Sequence, residues 1–199
     1  MIIWAIVPIK PIQTAKSRLS AVLTPHQRSD LALKLLQNTL NILAGWNPLA
    51  GTLVVSADPA VWEMASHYQV GIFKEPDAPG LNESLRRATS EIGRMGAEGV
   101  LVIPGDLPFL DHPGLQKLID LAGQPPLVAI APDKNQQGTN ALLVSPSGVI
   151  PYCYGPDSFR KHQEAARRAH IPFYAIDLAS LAIDIDLPED LLSIQQWLR

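Results

Sequence analysis

Seven short apolar runs recur along the chain, and each is followed by turn-forming residues. The runs occupy residues 2–7, 53–55, 70–73, 100–103, 127–130, 141–144 and 173–176. Their hydrophobicity is continuous rather than alternating, which is typical of strands covered on both faces of a sheet. The pattern therefore predicts seven buried strands.

Helical periodicity separates several of these runs. Apolar residues at spacings of three and four form two stripes, one of Leu33, Leu36, Leu40 and Leu43 and one of Leu81, Leu85, Ala88, Ile92 and Met95. Each stripe predicts the buried face of a helix. Thr24 with Pro25 and Gln27, and Asp58 with Pro59, are typical of helix starts.

The alternation of strands with helices predicts an α/β fold with three layers, in which a mostly parallel, twisted sheet carries helices on both faces. Residues 133–155 show no clear helical pattern, so an antiparallel strand or a β-ribbon is expected there. A last helix is predicted to begin near Pro188, with one apolar face made of Leu187, Leu191, Ile194 and Leu198. With 199 residues, of which 47% are hydrophobic, the chain fits a single domain over residues 1–199.

The amino-acid composition of the chain excludes several classes of function. The chain has 16 Lys and Arg against 19 Asp and Glu, and this net charge of -3 lacks the basic excess that nucleic-acid binding usually requires. The apolar run at residues 2–7 is too short for a signal sequence or a membrane span. Cys153 is the single cysteine, which excludes an intramolecular disulfide. We therefore expect a soluble, cytoplasmic protein with neither nucleic acid nor a membrane as partner.

Cations follow the first apolar run, where a sheet of this kind binds ligands at the carboxyl ends of its strands. Pro8 and Lys10 come directly after the run, and Lys16, Ser17 and Arg18 follow in the same loop. Lysine supplies a point charge and arginine can bind two phosphate oxygens, so the loop can neutralise a polyphosphate. The Walker pattern is absent. A solvated basic loop is the alternative.

Carboxylates follow the fourth run and recur near the C-terminus. Asp106 stands in the sequence Pro-Gly-Asp-Leu-Pro, and Asp184 and Asp186 flank Ile185. Alternate residues of an extended segment share a face, so Asp184 and Asp186 can point together. Clustered acids need a cation, and Mg²⁺ is the ion that suits carboxylates and substrate phosphates. The alternatives are a turn aspartate at 106 and a helix N-cap at 186.

Two loops rich in small residues complete the candidate site. Thr139 follows Gly138, and Gly155 precedes Ser158 at the start of a predicted helix. Glycine allows the backbone to approach a ligand, and the amides of a helix N-terminus attract anions. Ser158 can alternatively be a plain helix cap. A lone histidine such as His162, one turn into that helix, is more often a packing or surface residue than a catalytic one.

These motifs, in this order, closely resemble the guanylyltransferase family of deazaflavin-coenzyme (coenzyme F-420) biosynthesis, described as 2-phospho-L-lactate or phosphoenolpyruvate guanylyltransferases. The similarity spans nearly the whole chain. It rests on residues 7–10 and 15–19, Gly80-Leu81-Asn82, residues 104–108, 138–140 and 155–162, and Asp184-Ile185-Asp186. Tyr154 stands where the family leads us to expect phenylalanine, and the aromatic character is kept.

The resemblance implies a nucleotide-diphospho-sugar transferase-like fold and a role for each motif. It implies Mg²⁺ ligands at Asp106, Asp184 and Asp186, and contacts with the phosphorylated acid at Thr139, Gly155 and Ser158. It also implies nucleotide contacts at Pro8, Lys10, Ser17, Arg18, Gly80, Asn82 and Asp106, with Asn82 near the guanine. The residues expected to act directly in catalysis are Lys10, Lys16, Arg18 and Asp106.

The activity implied is Mg²⁺-dependent transfer of GMP from GTP to the phosphate of phosphoenolpyruvate or 2-phospho-L-lactate, with release of pyrophosphate. Two alternatives remain open. One is nucleotidyl transfer to 3-phosphoglycerate, a sugar phosphate or molybdopterin, and the other is a non-catalytic nucleotide-binding domain. The oligomeric state is also open, with a homodimer among the options.

Overall fold

A computed structural model describes residues 1–75 and 79–194. The strands are β1 (Ile3–Pro8), β2 (Gly51–Ser56), β3 (Gly71–Lys74), β4 (Gly99–Val102), β5 (Leu127–Pro132), β6 (Thr139–Ser145) and β7 (Phe173–Ala175). The helices are α1 (Pro25–Leu43), α2 (Pro59–Ser66), α3 (Leu81–Arg94), α4 (His112–Leu121), α5 (Ser158–Arg168) and α6 (Asp190–Ser193). Each of the seven apolar runs thus forms a strand.

The strands form one sheet in the order β3-β2-β1-β4-β6-β5-β7. Strand β6 pairs antiparallel with β4 and β5, whereas the other pairings are parallel. This confirms the mostly parallel sheet and the antiparallel strand expected within residues 133–155. Because β6 runs against its neighbours, its first residue, Thr139, lies at the edge where the parallel strands end.

Helices cover both faces of the sheet. Leu36 and Leu40 of α1 and Leu115 of α4 pack in one apolar cluster with Ala5 and Val7 of β1. On the opposite face, a second cluster contains Leu85, Ala88 and Ile92 of α3, Ala166 of α5 and Ile6 of β1. Successive residues of β1 therefore enter different cores, which is why its sequence is apolar throughout. The three-layer prediction is confirmed.

Local capping signals fix the helix starts. The Thr24 side chain accepts from the amide of Gln27, whose side chain in turn bonds the Thr24 amide, so α1 begins with a capping box. The carboxylate of Asp58 accepts from the amide of Ala60 at the start of α2. Proline occupies the first helical turn in both cases, as the sequence predicts.

Two details of the helical prediction are wrong. Met95 follows the end of α3 and is 53% exposed, so the apolar stripe stops at Ile92. The last helix does begin near Pro188, with Asp190 as its first residue, but Leu187 is exposed instead of packed. The predicted position of Leu198 lies outside the described residues. Within the described residues, no helix is long and apolar enough to cross a membrane.

Candidate active site

The candidate site lies at the point of the sheet where the strand order reverses. After β1 the chain builds β2 and β3 on one side, and β4 then pairs with the other side of β1. The carboxyl ends of β1 and β4 therefore open a crevice, the usual ligand site of such sheets. Gly105 lies close beneath the loop that follows β1, since a Cβ at this position would collide with the side chain of Ile9.

The cationic loop after β1 is held in place by Asp58. The loop contains two short 3-10 helices, Ile12–Thr14 and Ser17–Leu19. One carboxylate oxygen of Asp58 accepts from the amide of Ile12 at 2.6 Å, and the other caps α2. Asp58 is 4% exposed, so both bonds are shielded from water. The sequence showed Asp58 only as a helix cap; its second contact spans 46 residues and leaves no local pattern.

Asp106, Asp184 and Asp186 meet at one point. One carboxylate oxygen from each of the three residues lies within 4.8 Å of the others, and all three side chains are half-buried. Ile185 is fully buried in a cluster with Leu19 and Leu35, so its two acidic neighbours are turned to the opposite side. The burial of Ile185 therefore directs the side chains of Asp184 and Asp186 towards Asp106.

Lys16 enters this cluster of acids. Its ammonium donates to Asp106 at 2.6 Å and to Asp186 at 3.2 Å, and its side chain is only 6% exposed. Burial lowers the pKa of Lys16, but the Asp106 and Asp186 carboxylates outweigh burial and raise it above its usual value. Lys16 also has a left-handed backbone, with φ of 53°. Such strain in a non-glycine residue is typical of functional sites.

The charges of the cluster fit a divalent cation. Burial, followed by the negative charges of Asp106 and Asp186, raises the pKa of Asp184 to about 6. Three carboxylates and one buried ammonium leave about two negative charges to balance. Oxygen ligands at this spacing are what a hard cation such as Mg²⁺ takes. The donor set therefore fits a metal ion, as the sequence predicts.

Asp190 and Lys134 support the segment that carries Asp184 and Asp186. Buried Asp190 accepts from the amides of Leu187 and Asp186 at 2.8 and 3.1 Å, and from the Lys134 ammonium at 2.7 Å. Although burial raises the pKa of Asp190, these donors lower it below its usual value. The N-cap role considered for Asp186 is wrong, because α6 starts after Glu189 and the capped amides are those of Asp186 and Leu187. Neither of these supporting residues was predicted from the sequence.

Replacing Asp190 with alanine is expected to lower the free energy of unfolding by about 2 kcal/mol, since two amides and Lys134 lose their acceptor. The segment holding Asp186 should loosen, so Mg²⁺ should raise the melting temperature less in the variant than in the wild type. Urea unfolding measures the loss of free energy, and thermal unfolding with and without Mg²⁺ measures the shift in melting temperature. Glu189→Ala, at the exposed neighbouring residue, is the control. Equal stabilisation by Mg²⁺ in wild type and Asp190→Ala would contradict this role.

Thr139 and Ser158 meet across the edge of the sheet. The Ser158 hydroxyl donates to the Thr139 hydroxyl at 3.1 Å, and both residues are buried. Asp157, not Ser158, is the N-cap residue of α5, so the alternative of Ser158 as a helix cap is wrong. Gly155 has a φ of 125°, a conformation that favours glycine, which keeps this loop free of side-chain bulk.

Asn82 forms two hydrogen bonds between the start of α3 and the loop before α5. Its side-chain amide donates to the Tyr154 carbonyl at 3.1 Å, and its oxygen accepts from the Tyr154 amide at 2.8 Å. This pairing gives Asn82 a structural contact beside its expected role near guanine, which remains a prediction. Gly80 lies at the N-terminus of the same helix with a φ of 96°.

The remaining cations of the site are accessible. Lys10 is exposed, as is the uncharged Ser17 beside Arg18. The side chain of Arg18 is 70% exposed, and one of its guanidinium nitrogens lies 3.5 Å from the Asp186 carboxylate. An exposed ion pair of this length contributes little to stability. Arg18 is therefore free to exchange Asp186 for an incoming anion, whereas Lys16 is held by its burial.

Several guanylyltransferases are similar to this chain over nearly its whole length. A 37% identical protein of Rubrobacter xylanophilus, named phosphoenolpyruvate guanylyltransferase, matches over 98% of this chain and 94% of its own length. A 3-phospho-D-glycerate guanylyltransferase of Colwellia psychrerythraea is 33% identical over 94% of this chain and 88% of its own. A 2-phospho-L-lactate guanylyltransferase of Methanocaldococcus infernus is also 33% identical, over 94% and 81%.

Solved structures share the fold at low identity. A Desulfovibrio desulfuricans G20 protein described as a nucleotide-diphospho-sugar transferase superposes with a TM-score of 0.74 at 18% identity, covering 98% of this chain and 88% of its own. A 4-diphosphocytidyl-2C-methyl-D-erythritol synthase superposes with a TM-score of 0.69 at 17% identity, covering 100% of this chain and 99% of its own.

The family model described as "Guanylyl transferase CofC like" matches residues 3–196. The chain thus belongs to the CofC-like guanylyl transferases, a family of nucleotidyltransferase enzymes.

Proposed function

We propose that this enzyme transfers GMP from GTP to the phosphate of phosphoenolpyruvate or 2-phospho-L-lactate, with Mg²⁺ as its metal, in coenzyme F-420 biosynthesis. The observation that carries the proposal is the meeting of three carboxylates with Lys16 at the carboxyl ends of β1 and β4. Nucleotidyl transfer needs a metal site next to cations that receive pyrophosphate. GTP and such phosphorylated acids are cytoplasmic metabolites, so we place the reaction in the cytoplasm.

Asp106, Asp184 and Asp186 would hold the metal, and Mg²⁺ supplies neutralisation of nucleotide phosphate oxygens when it is bound. Lys10, Lys16 and Arg18 bind the triphosphate from the loop after β1, with Pro8 and Ser17 beside them. Lys16 would supply one fixed charge to the negative charge that accumulates on the departing pyrophosphate, and its buried position supports this role.

The chemical step requires little acid or base catalysis. A phosphate oxygen of the acid attacks the α-phosphorus of GTP, and the bond to the pyrophosphate oxygen breaks, with pyrophosphate keeping the electron pair. The attacking oxygen is already anionic, so no general base has to remove a proton. Catalysis then consists of holding two anions in line and neutralising their repulsion, which is the work of the cations around the site.

The acid would lie against Thr139, Gly155 and Ser158. One hydroxyl proton of the Thr139–Ser158 pair and the Gly155 backbone offer hydrogen-bond donors without a fixed negative charge, which suits a phosphate or a carboxylate. Phosphoenolpyruvate is the first candidate because the Rubrobacter xylanophilus relative named for that acid is 37% identical, against 33% for the relatives named for the other two acids.

A substrate panel tests this proposal. Purified protein with Mg²⁺ and GTP is given phosphoenolpyruvate, 2-phospho-L-lactate or 3-phosphoglycerate, and the products are identified by mass while pyrophosphate is measured. We expect the guanylylated acid from phosphoenolpyruvate or 2-phospho-L-lactate, and none with a chelator. ATP and CTP in place of GTP test the base. If only 3-phosphoglycerate, a sugar phosphate or molybdopterin gives pyrophosphate release, the proposed acceptor is wrong. If no acceptor gives pyrophosphate release, the proposed activity is wrong.

A further inference from the structure

His162 is a buried histidine that contacts the loops of the candidate acid site. Its ring is fully buried in α5, one turn after Ser158. Nδ1 lies 3.2 Å from the Thr139 hydroxyl, and Nε2 lies 2.9 Å from the amide nitrogen of Cys153. The ring of Tyr154 packs edge-on against it, with the ring centroids 5.0 Å apart. One side chain thus touches both segments expected to hold the acid.

The tautomer of His162 follows from its backbone partner. The Cys153 amide can only donate, so Nε2 must carry the lone pair, and the proton of the neutral ring sits on Nδ1. Burial, partly offset by the Ser158 carbonyl, lowers the pKa of His162 to about 4. The ring is therefore neutral near neutral pH, and its Nδ1 proton is shared between the Thr139 hydroxyl and the Ser158 carbonyl.

This assignment fixes the direction of the Thr139 hydroxyl. Its oxygen accepts from Nδ1 of His162 and from the hydroxyl of Ser158, and a hydroxyl oxygen has two lone pairs. Both are occupied, so the proton of Thr139 must point to a third group. A donor prepared in this way suits an anionic oxygen, because charge-assisted hydrogen bonds are the stronger ones.

We propose that His162 is a positioning residue of the acid site, which fixes Thr139 as a hydrogen-bond donor to the phosphorylated acid and holds the Cys153 end of the loop leading to Gly155. The inference rests on the proposed function, since it takes the acid to lie against Thr139. It adds that the Thr139 hydroxyl donates in one direction and that the buried His162 contributes to the affinity for the acid.

Two glutamine variants test the proposal. The side-chain amide of His162→Gln can still accept from the Cys153 amide but leaves Thr139 without the Nδ1 donor. His170→Gln makes the same change at an exposed residue just after α5. We expect His162→Gln to bind phosphoenolpyruvate about tenfold more weakly, by calorimetry and by KM, with the KM for GTP unchanged. His170→Gln should match the wild type. His162→Asn, whose amide reaches the Nδ1 position, should recover most of the affinity.

A double-mutant cycle separates this role from packing. In a Thr139→Val background, His162→Gln should weaken acid binding by less than about twofold, because the hydroxyl it orients is gone. Equal losses in both backgrounds, or equal losses for acid and GTP, would overturn the proposal. Nitrogen-15 shifts of the wild-type imidazole give a readout that needs no variant to fold, and a ring protonated on Nε2 would also overturn it.

The outcomes for the two proposals differ. A wild-type protein that binds none of the three acids would contradict the proposed function and this inference together. A His162→Gln variant that binds phosphoenolpyruvate as tightly as the wild type would contradict the inference alone.

Discussion

Replacing Asp106 with asparagine is expected to slow guanylyl transfer by about a thousandfold, equivalent to ~4 kcal/mol of transition-state stabilisation. The amide oxygen of asparagine can still accept from Lys16, so the 2.6 Å contact and the shape of the site are kept. What is lost is one of three negative charges in the cluster with Asp184 and Asp186. The change is read from Mg²⁺-dependent pyrophosphate release.

The fold should tolerate this substitution. The buried Lys16 ammonium keeps the Asp186 carboxylate as its partner at 3.2 Å, so the substitution does not leave a buried charge without a counter-ion. Melting temperatures close to that of the wild type are expected. Asp120→Asn, at an exposed position on α4, is the matched control and should keep full activity. Wild-type transfer rates in Asp106→Asn would refute the metal role of this residue.

Replacing Lys16 with methionine is the second large effect, and it acts on stability as well as on rate. Methionine keeps the length and the buried stem but leaves Asp106 and Asp186 without their ammonium. In the absence of metal, the free energy of unfolding should fall by about 2 kcal/mol, below the range for a fully buried pair because Asp186 is 41% exposed. Chemical denaturation with a chelator present measures the loss.

Added Mg²⁺ should recover much of this loss, because a cation that binds only the folded protein stabilises it. The rise in melting temperature with Mg²⁺ should therefore be larger for Lys16→Met than for the wild type, in which Lys16 already balances the acids. Transfer should still fall about a hundredfold, since the triphosphate loses a fixed charge. Lys117→Met, an exposed position on α4, is the control. Identical Mg²⁺ responses in wild type and Lys16→Met would show that Lys16 does not share the metal's position.

The capacity of the site to bind a metal can be predicted from the sequence, because it depends on residue type at strand ends. Asp106 follows a buried strand, and Asp184 and Asp186 alternate with Ile185, whose apolar side chain has to turn inward. Their approach to within 4.8 Å agrees with what the carboxyl ends of a parallel sheet imply. Their role as metal ligands remains a prediction that Asp106→Asn tests.

The residues that support the site cannot be predicted in this way. Asp58 reaches Ile12 across 46 residues, and Lys134 reaches Asp190 across 56. A sequence pattern records periodicity and short spacing, whereas a hydrogen bond between distant segments depends on how the sheet brings their ends together. His162 illustrates the same limit, since its helical position alone is typical of an ordinary packed or surface residue.

The sequence by itself determined the seven strands, the helix starts at Thr24 and Asp58 and the types of residue at the site, because burial and capping act over a few neighbouring positions. The tertiary structure alone decided that β6 lies between β4 and β5 and that Lys16 lies among the acids. It also decided which hydroxyl proton of the Thr139–Ser158 pair is left to donate. Each of these depends on contacts between segments far apart in the chain, whose energies only the folded arrangement brings into play.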